Sequence, residues 1–240
     1  MRLRTTLFIV ASLSAVVAEG GVIVRRSDGV QVAIEGSAYR LELPPTREPR
    51  PFDVVVSRDA DATTSCINLG NQTWFERRVE SGSTPTTSGS SPFTFTMEGD
   101  PVVEEKDEPG GEIAGHPTQK HFVRVRFTVM QSFRQSNVRL SIDATIVVWS
   151  APDLARVIPA SLQTKFAGPD SALAVALAKV PGLPLRQMTS VTRTYAGGKP
   201  STTAEEWTTT AILPKTIPES AFEVPKGFVH QFPQYVAPGR

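Results

Sequence analysis

Val123-Arg124-Val125-Arg126-Phe127-Thr128-Val129 and Leu140-Ser141-Ile142-Asp143-Ala144-Thr145-Ile146-Val147-Val148 decide the fold. In each stretch apolar side chains recur at every second position. An extended chain therefore turns them to one face and the arginines, threonines and aspartate to the other. Strands with one buried and one solvated face are the habit of antiparallel sheets. Gln135-Ser136-Asn137 lies between the two runs and predicts the turn that joins them.

The pattern continues upstream. Gly21 to Arg26, Val30 to Glu35 and Ala38 to Leu43 read as strands, with Val30, Val32 and Ile34 alternating with Gln31 and Ala33, and Gly36-Ser37 as a turn. After a proline-rich break from Pro44 to Pro51 come three more, Phe52 to Ser57, Ser65 to Leu69 and Trp74 to Val79. Ser81 to Ser91 is almost wholly Ser, Thr, Gly and Pro. Glu98 to Glu112 carries the acidic run Glu104-Glu105-Lys106-Asp107-Glu108. Both are expected as loops, an insertion at about 81–112.

Downstream, Ser150-Ala151-Pro152-Asp153-Leu154 has the form of a helix start, with a capping serine and a proline in the first turn, and Pro159 limits that helix. A second helix is expected from Asp170 to Lys179, where Leu173, Ala174, Leu177 and Val180 fall at helical spacing and Pro181-Gly182 closes it. Strands resume at Leu185 to Tyr195 and Trp207 to Leu213, with Gly197-Gly198-Lys199-Pro200 turning between them. Prolines at 214, 218, 225, 233 and 238 favour an extended tail, which Phe222, Val224 and Phe228 are expected to pin by burial.

Composition narrows the setting. Arg2 and Arg4 precede an uncharged apolar run from Leu7 to Val17, and Val16 and Ala18 suit a signal-peptidase site after Ala18. That run is about half the roughly 20 residues of a spanning helix. The expectation is a signal peptide over 1–18, one β domain over 19–232 and a flexible tail over 233–240, in a periplasmic or secreted protein with no stable membrane insertion after processing. Lys plus Arg number 25 against 24 Asp plus Glu, which offers nothing to attract nucleic acid. Cys66 is the only cysteine, so it has no intrachain disulfide partner, and it sits in a strand as a small buried hydrophobe.

Reactive chemistry is not written in the linear sequence. His116 and His121 are an odd number of residues apart, which sends their rings to opposite faces of a strand, and no ligand-spaced Cys, Asp or Glu accompanies them. Glu205 and Glu206 are adjacent and face apart on a strand. Nucleophile-elbow, phosphate-loop, dinucleotide and zinc-protease patterns are all missing. No catalytic residue, metal site or cofactor is therefore expected, and a non-enzyme is. Asn71-Gln72-Thr73 fits the glycosylation pattern, which matters only in a eukaryotic secretory route.

Several short segments in order resemble a known group. Glu112-Ile113-Ala114-Gly115-His116-Pro117-Thr118-Gln119-Lys120-His121-Phe122, then Val147-Val148-Trp149-Ser150-Ala151-Pro152-Asp153-Leu154, then Pro181-Gly182-Leu183-Pro184-Leu185 and Phe222-Glu223-Val224-Pro225-Lys226-Gly227-Phe228 resemble the DUF4412 family, related to the lipoprotein carrier LolA. The resemblance spans about Gly111 to Phe228. The Ser/Thr-rich and acidic segments depart from its pattern. It implies an α+β, mainly β fold: a strongly curved antiparallel sheet, a half barrel, with short helices on its concave face. Relatives of that architecture hold acyl chains or lipidated termini between sheet and helices.

The leading functional expectation is an exported protein that binds or carries an apolar ligand, a lipid or acyl chain, in the cell envelope. Val125, Phe127, Ile142 and Ile146 are its expected lining. The alternative is a structural or envelope-assembly protein with a protein partner, meeting it through exposed residues such as Trp74, Phe75, Phe93 or Phe95.

Overall fold

The computed structural model describes residues 20–46, 50–58, 63–78, 93–133, 136–157, 175–177 and 179–231. The expected signal peptide and the expected flexible tail lie outside the described residues, as does the Ser/Thr-rich stretch. Of the described residues 64% are strand and 6% helical, so the fold is mainly β.

Among the described residues thirteen strands follow one another: β1 (Val22–Arg26), β2 (Gln31–Glu35), β3 (Ala38–Glu42), β4 (Val54–Ser57), β5 (Thr63–Asn68), β6 (Thr73–Arg78), β7 (Phe93–Met97), β8 (Val102–Ile113), β9 (His116–Phe133), β10 (Ser136–Ala151), β11 (Leu183–Tyr195), β12 (Ser201–Pro214) and β13 (Val229–His230). They form one sheet in the order β13-β6-β5-β4-β3-β2-β1-β12-β11-β10-β9-β7, with β8 also paired to β9. The order has a simple origin. Two meanders, β1 to β6 and β9 to β12, each pair sequence neighbours. A single long-range ladder, β1 against β12 from Val22↔Pro214 to Arg26↔Thr209, fuses them. All pairings are antiparallel except β13 with β6.

The two alternating runs lie in the longest strands, β9 with 18 residues and β10 with 16. They pair without a register shift from Ser136↔Phe133 to Ser150↔Gln119. Val123, Val125, Phe127 and Val129 are buried on one face with Leu140, Ile146 and Val148. The other face carries charge-assisted pairs, Arg124 to Asp143 at 2.6 Å and Arg186 to Glu206 at 2.6 Å. The Arg186 guanidinium lies 4.5 Å from the ring centre of Trp149 on that side.

Three apolar clusters pack against the sheet. One lies on β9 and β10. A second joins Val22, Val24, Ile34, Tyr39, Ala151, Leu154, Leu183 and Leu185. A third joins Val54, Val56 and Ile67, with Trp74, Val224 and Phe228 against it. The proline-rich tail thus lies along the sheet, held by buried Phe222 and by Val224 and Phe228. Cys66 is buried in β5.

Four expectations are corrected. The sheet is neither closed nor strongly curled, so it is not a half barrel. Its lateral growth ends at β13 and β6 on one side and at β7 and β8 on the other, and only three register slips, at Arg25/Arg26, Pro109/Gly111 and Trp149/Ser150, interrupt the described ladders. Curvature is built by such bulges, and these are few. Short helices on a concave face are not supported either. The first expected helix is a short 3-10 segment, Pro152–Val157, and of the second only residues 175–177 are described as helical.

The acidic run is not a loop. It is the edge strand β8, paired with β9 from Val102↔Arg126 to Ile113↔His116. Lys120 bonds Glu108 at 3.1 Å and Arg126 bonds Glu104, so the basic outer face of β9 neutralises the carboxylates that composition assigned to solvent. Finally, Trp74 and Phe75 are half-buried rather than exposed: Trp74 packs on the third cluster and Phe75 meets Phe52 edge-on at 6.2 Å. The side chains of Phe93 and Phe95 lie outside the described residues.

Candidate functional site

The expected lining residues do come together. Val125, Phe127 and Ile146 are buried in the cluster on β9 and β10, and Ile142 packs against it half-buried. Ala176, Leu177 and Val180, from the segment that follows β10 and precedes β11, rest on the same cluster. Lys179 ties that segment to β8 through two hydrogen bonds to Glu105, at 2.8 and 3.2 Å.

The apolar stripe on β9 ends in a polar group. His121 shares the face of Val123, Val125, Phe127 and Val129 because all are odd-numbered on one unbroken strand. From His121 to Val129 the stripe is about 26 Å long, at about 3.3 Å per residue. His121 Nδ1 lies 2.8 Å from Asp107 Oδ1 and Nε2 lies 3.1 Å from Ser150 Oγ.

Three strands assemble this group. Asp107 of β8 stands directly opposite His121 of β9. On the other side β10 places Val148 opposite His121 and Ser150 opposite Gln119, so His121 and Ser150 are diagonal neighbours. A carboxylate only accepts, so the proton of the pair is on Nδ1; in the neutral ring Nε2 then accepts from the Ser150 hydroxyl. The burial is graded: the side chain of Asp107 is 77% exposed and that of His121 7%, and Ser150 has no exposed surface.

Local sequence explains the setting of Ser150. It does not cap a helix, as its place before Ala151-Pro152 suggested; it remains in β10, and the 3-10 turn starts after it. Beside it the β10–β11 ladder slips, pairing Trp149 with Arg186 but Ser150 with Pro184, a residue with no backbone N–H. A bulge against a proline re-aims side chains and loosens the ladder at one level. On the β8 side the slip at Pro109/Gly111 follows Asp107 by two residues, where Gly110 lies so close to Thr118 and Trp149 that a Cβ would fall 2.4 Å from Thr118 Oγ1.

His116, of opposite parity to His121, pairs separately: its Nδ1 is 2.8 Å from Asp153 Oδ2 at the start of the 3-10 turn. Among the described residues no three His, Cys, Asp or Glu side chains gather to hold a metal ion. No helix among them is long and apolar enough to cross a membrane.

Sequence reasoning placed Val125, Phe127, Ile142 and Ile146 on one apolar face and missed the polar group. Asp107 lies 14 residues from His121 and Ser150 lies 29 residues away, so no local spacing connects them. The one available signal was the alternation Glu104, Lys106, Glu108, which is a strand's period, opposite the basic face of β9. No family model, curated protein or solved structure matches the chain.

Proposed function

We propose that this protein binds an apolar, chain-like ligand, a lipid or acyl chain, on the covered face of β9 and β10, and does so as an exported protein of the cell envelope. One observation carries the reading: Val123, Val125, Phe127, Val129, Leu140, Ile146 and Val148 form an apolar stripe with its own short cover, separate from the two clusters that consolidate the rest of the sheet. A chain-like ligand matches an elongated stripe, and the polar group at His121 suits a headgroup. The resemblance to the LolA-related carriers belongs to the same proposal, as does removal of residues 1–18.

Native mass spectrometry with organic extraction of the mature protein, purified from its own envelope, tests the proposal. A co-purifying lipid, and saturable binding of a fluorescent fatty acid that weakens on widening or filling the stripe at Phe127 or Ile146, is the expected result. An empty protein that also fails to bind fluorescent fatty acids removes the proposal.

A second reading, contact with a protein partner through the sheet edges, has one specific support. Exposed aliphatic residues sit at both ends of the sheet, Val102 and Val103 on β8 and Val229 on β13.

A further inference from the structure

Asp107, His121 and Ser150 are linked in the order carboxylate, imidazole, hydroxyl, at 2.8 and 3.1 Å, with the hydroxyl at the end of the apolar stripe. That connectivity is what activates a serine: the carboxylate orients the ring, the free ring nitrogen takes the hydroxyl proton, and the oxygen becomes a nucleophile. We infer that Ser150 is a nucleophile toward the carbonyl of an acyl ester whose chain lies along Val123, Val125 and Phe127. The inference rests on the apolar-ligand reading and names its substrate class.

The step balances within these groups and water. Ser150 Oγ forms a bond to the acyl carbonyl carbon as its proton passes to His121 Nε2. The ester C–O bond breaks, and the departing alkoxide takes that proton from Nε2. Water then attacks the acyl-serine, its proton passes through Nε2 to Ser150 Oγ, and a fatty acid leaves. Nothing is oxidised or reduced. Asp107 touches only the ring, so it is a positioning residue.

Burial makes the inference specific. With no exposed surface on Ser150, an ester cannot approach from bulk water as it does in an open hydrolase cleft. It reacts only when its acyl chain lies along the apolar stripe and its carbonyl stands at the His121 end, beside Ser150. Reactivity therefore grows with chain length, whereas at an open serine small, soluble reagents react readily.

The test uses the full mature protein and alkyl fluorophosphonates from ethyl to dodecyl, with the adduct located by peptide mass spectrometry. Expected is phosphonylation of Ser150, faster by at least about tenfold for dodecyl than for ethyl, absent in Ser150→Ala and slowed by about 10²–10⁴ in His121→Gln. Asp107→Asn slows labelling and Asp107→Glu restores part of the rate, which a merely structural carboxylate would not do. Ser150→Cys, probed with a long-chain iodoacetamide, covers the case in which the alanine variant does not fold.

A folded wild-type protein that binds fluorescent fatty acid yet gains no adduct on Ser150 overturns this inference alone. A protein that neither binds the fatty acid nor reacts overturns it together with the proposed function. A drop in melting temperature for Ser150→Ala with no wild-type adduct assigns the three residues to holding β8, β9 and β10 together, and also overturns it.

Discussion

Arg124 on β9 and Asp143 on β10 are diagonal neighbours on the outer face of the sheet, joined by a fork in which Nε reaches Oδ1 at 2.9 Å and Nη2 reaches Oδ2 at 2.6 Å. The hydrogen bonds from Arg124 hold the Asp143 carboxyl below its ordinary value of 3.8, against the opposing effect of partial burial. Asp53 is also lowered: burial pushes it up, but hydrogen bonds from Arg50 and from the backbone of Leu69 and Gly70 together outweigh that.

Acid should therefore destabilise the fold through these two groups. A depressed carboxyl binds fewer protons in the native state than in the unfolded chain, so its contribution is present above the ordinary value and is lost as pH falls through the native one. The midpoint of urea unfolding is expected to stay level from pH 7 to about pH 5 and to drop below about pH 4. Asp143→Asn should flatten part of that drop while costing under about 1 kcal/mol at pH 7, because solvent screens a pair this exposed.

Gly182 is expected to resist substitution. It sits at a φ of +77° and so near the end of β10 that a Cβ would lie 2.1 Å from the Ala151 carbonyl oxygen. Gly182→Ala combines left-handed strain with backbone displacement beside Ser150, at a cost of about 1–3 kcal/mol or more. Urea unfolding by circular dichroism measures it. An alanine variant of wild-type stability would show that this approach is looser than described.

Cys66 gives a check on the sheet that needs no mutation. Buried in β5 and facing β4 and β6, its thiol should react with Ellman's reagent only at the rate of unfolding, and at once in 6 M guanidinium. Immediate labelling of the native protein would contradict the packing of β4, β5 and β6.

The lining residues should separate by burial. Phe127→Ala and Ile146→Ala remove fully packed side chains and are expected to cost about 3–5 and 2–5 kcal/mol. Ile142→Ala, half-buried at the margin of the same cluster, should cost less than Ile146→Ala. Equal losses at 142 and 146 would mean that the cluster extends further along β10 than described.

The contrast between β9 and β8 shows where linear reading stops. Val123 to Val129 announces itself because one face is packed and the other wet, and that difference is recorded as alternation in the chain. β8 is an edge strand exposed along most of its length, so neither face demands apolar residues and its sequence looks like a loop. Its strand state comes from hydrogen bonds to β9 and from the basic residues of that partner. Ser150 failed in the opposite way: Ser-Ala-Pro is a good local helix start, but pairing with Gln119 and Pro184 keeps the serine in the sheet, where its hydroxyl meets His121.

What the sequence determined alone was the six strands of the first meander, the two longest strands, the burial of Cys66, and the apolar identity of Val125, Phe127, Ile142 and Ile146. These depend on the residue itself and its neighbours one and two positions away. Tertiary structure alone decided the open, weakly curled sheet, the strand at 102–113 and the meeting of Asp107, His121 and Ser150. Each of these is a matter of register between strands distant in the chain, set by the sum of ladder hydrogen bonds and packing across the whole sheet.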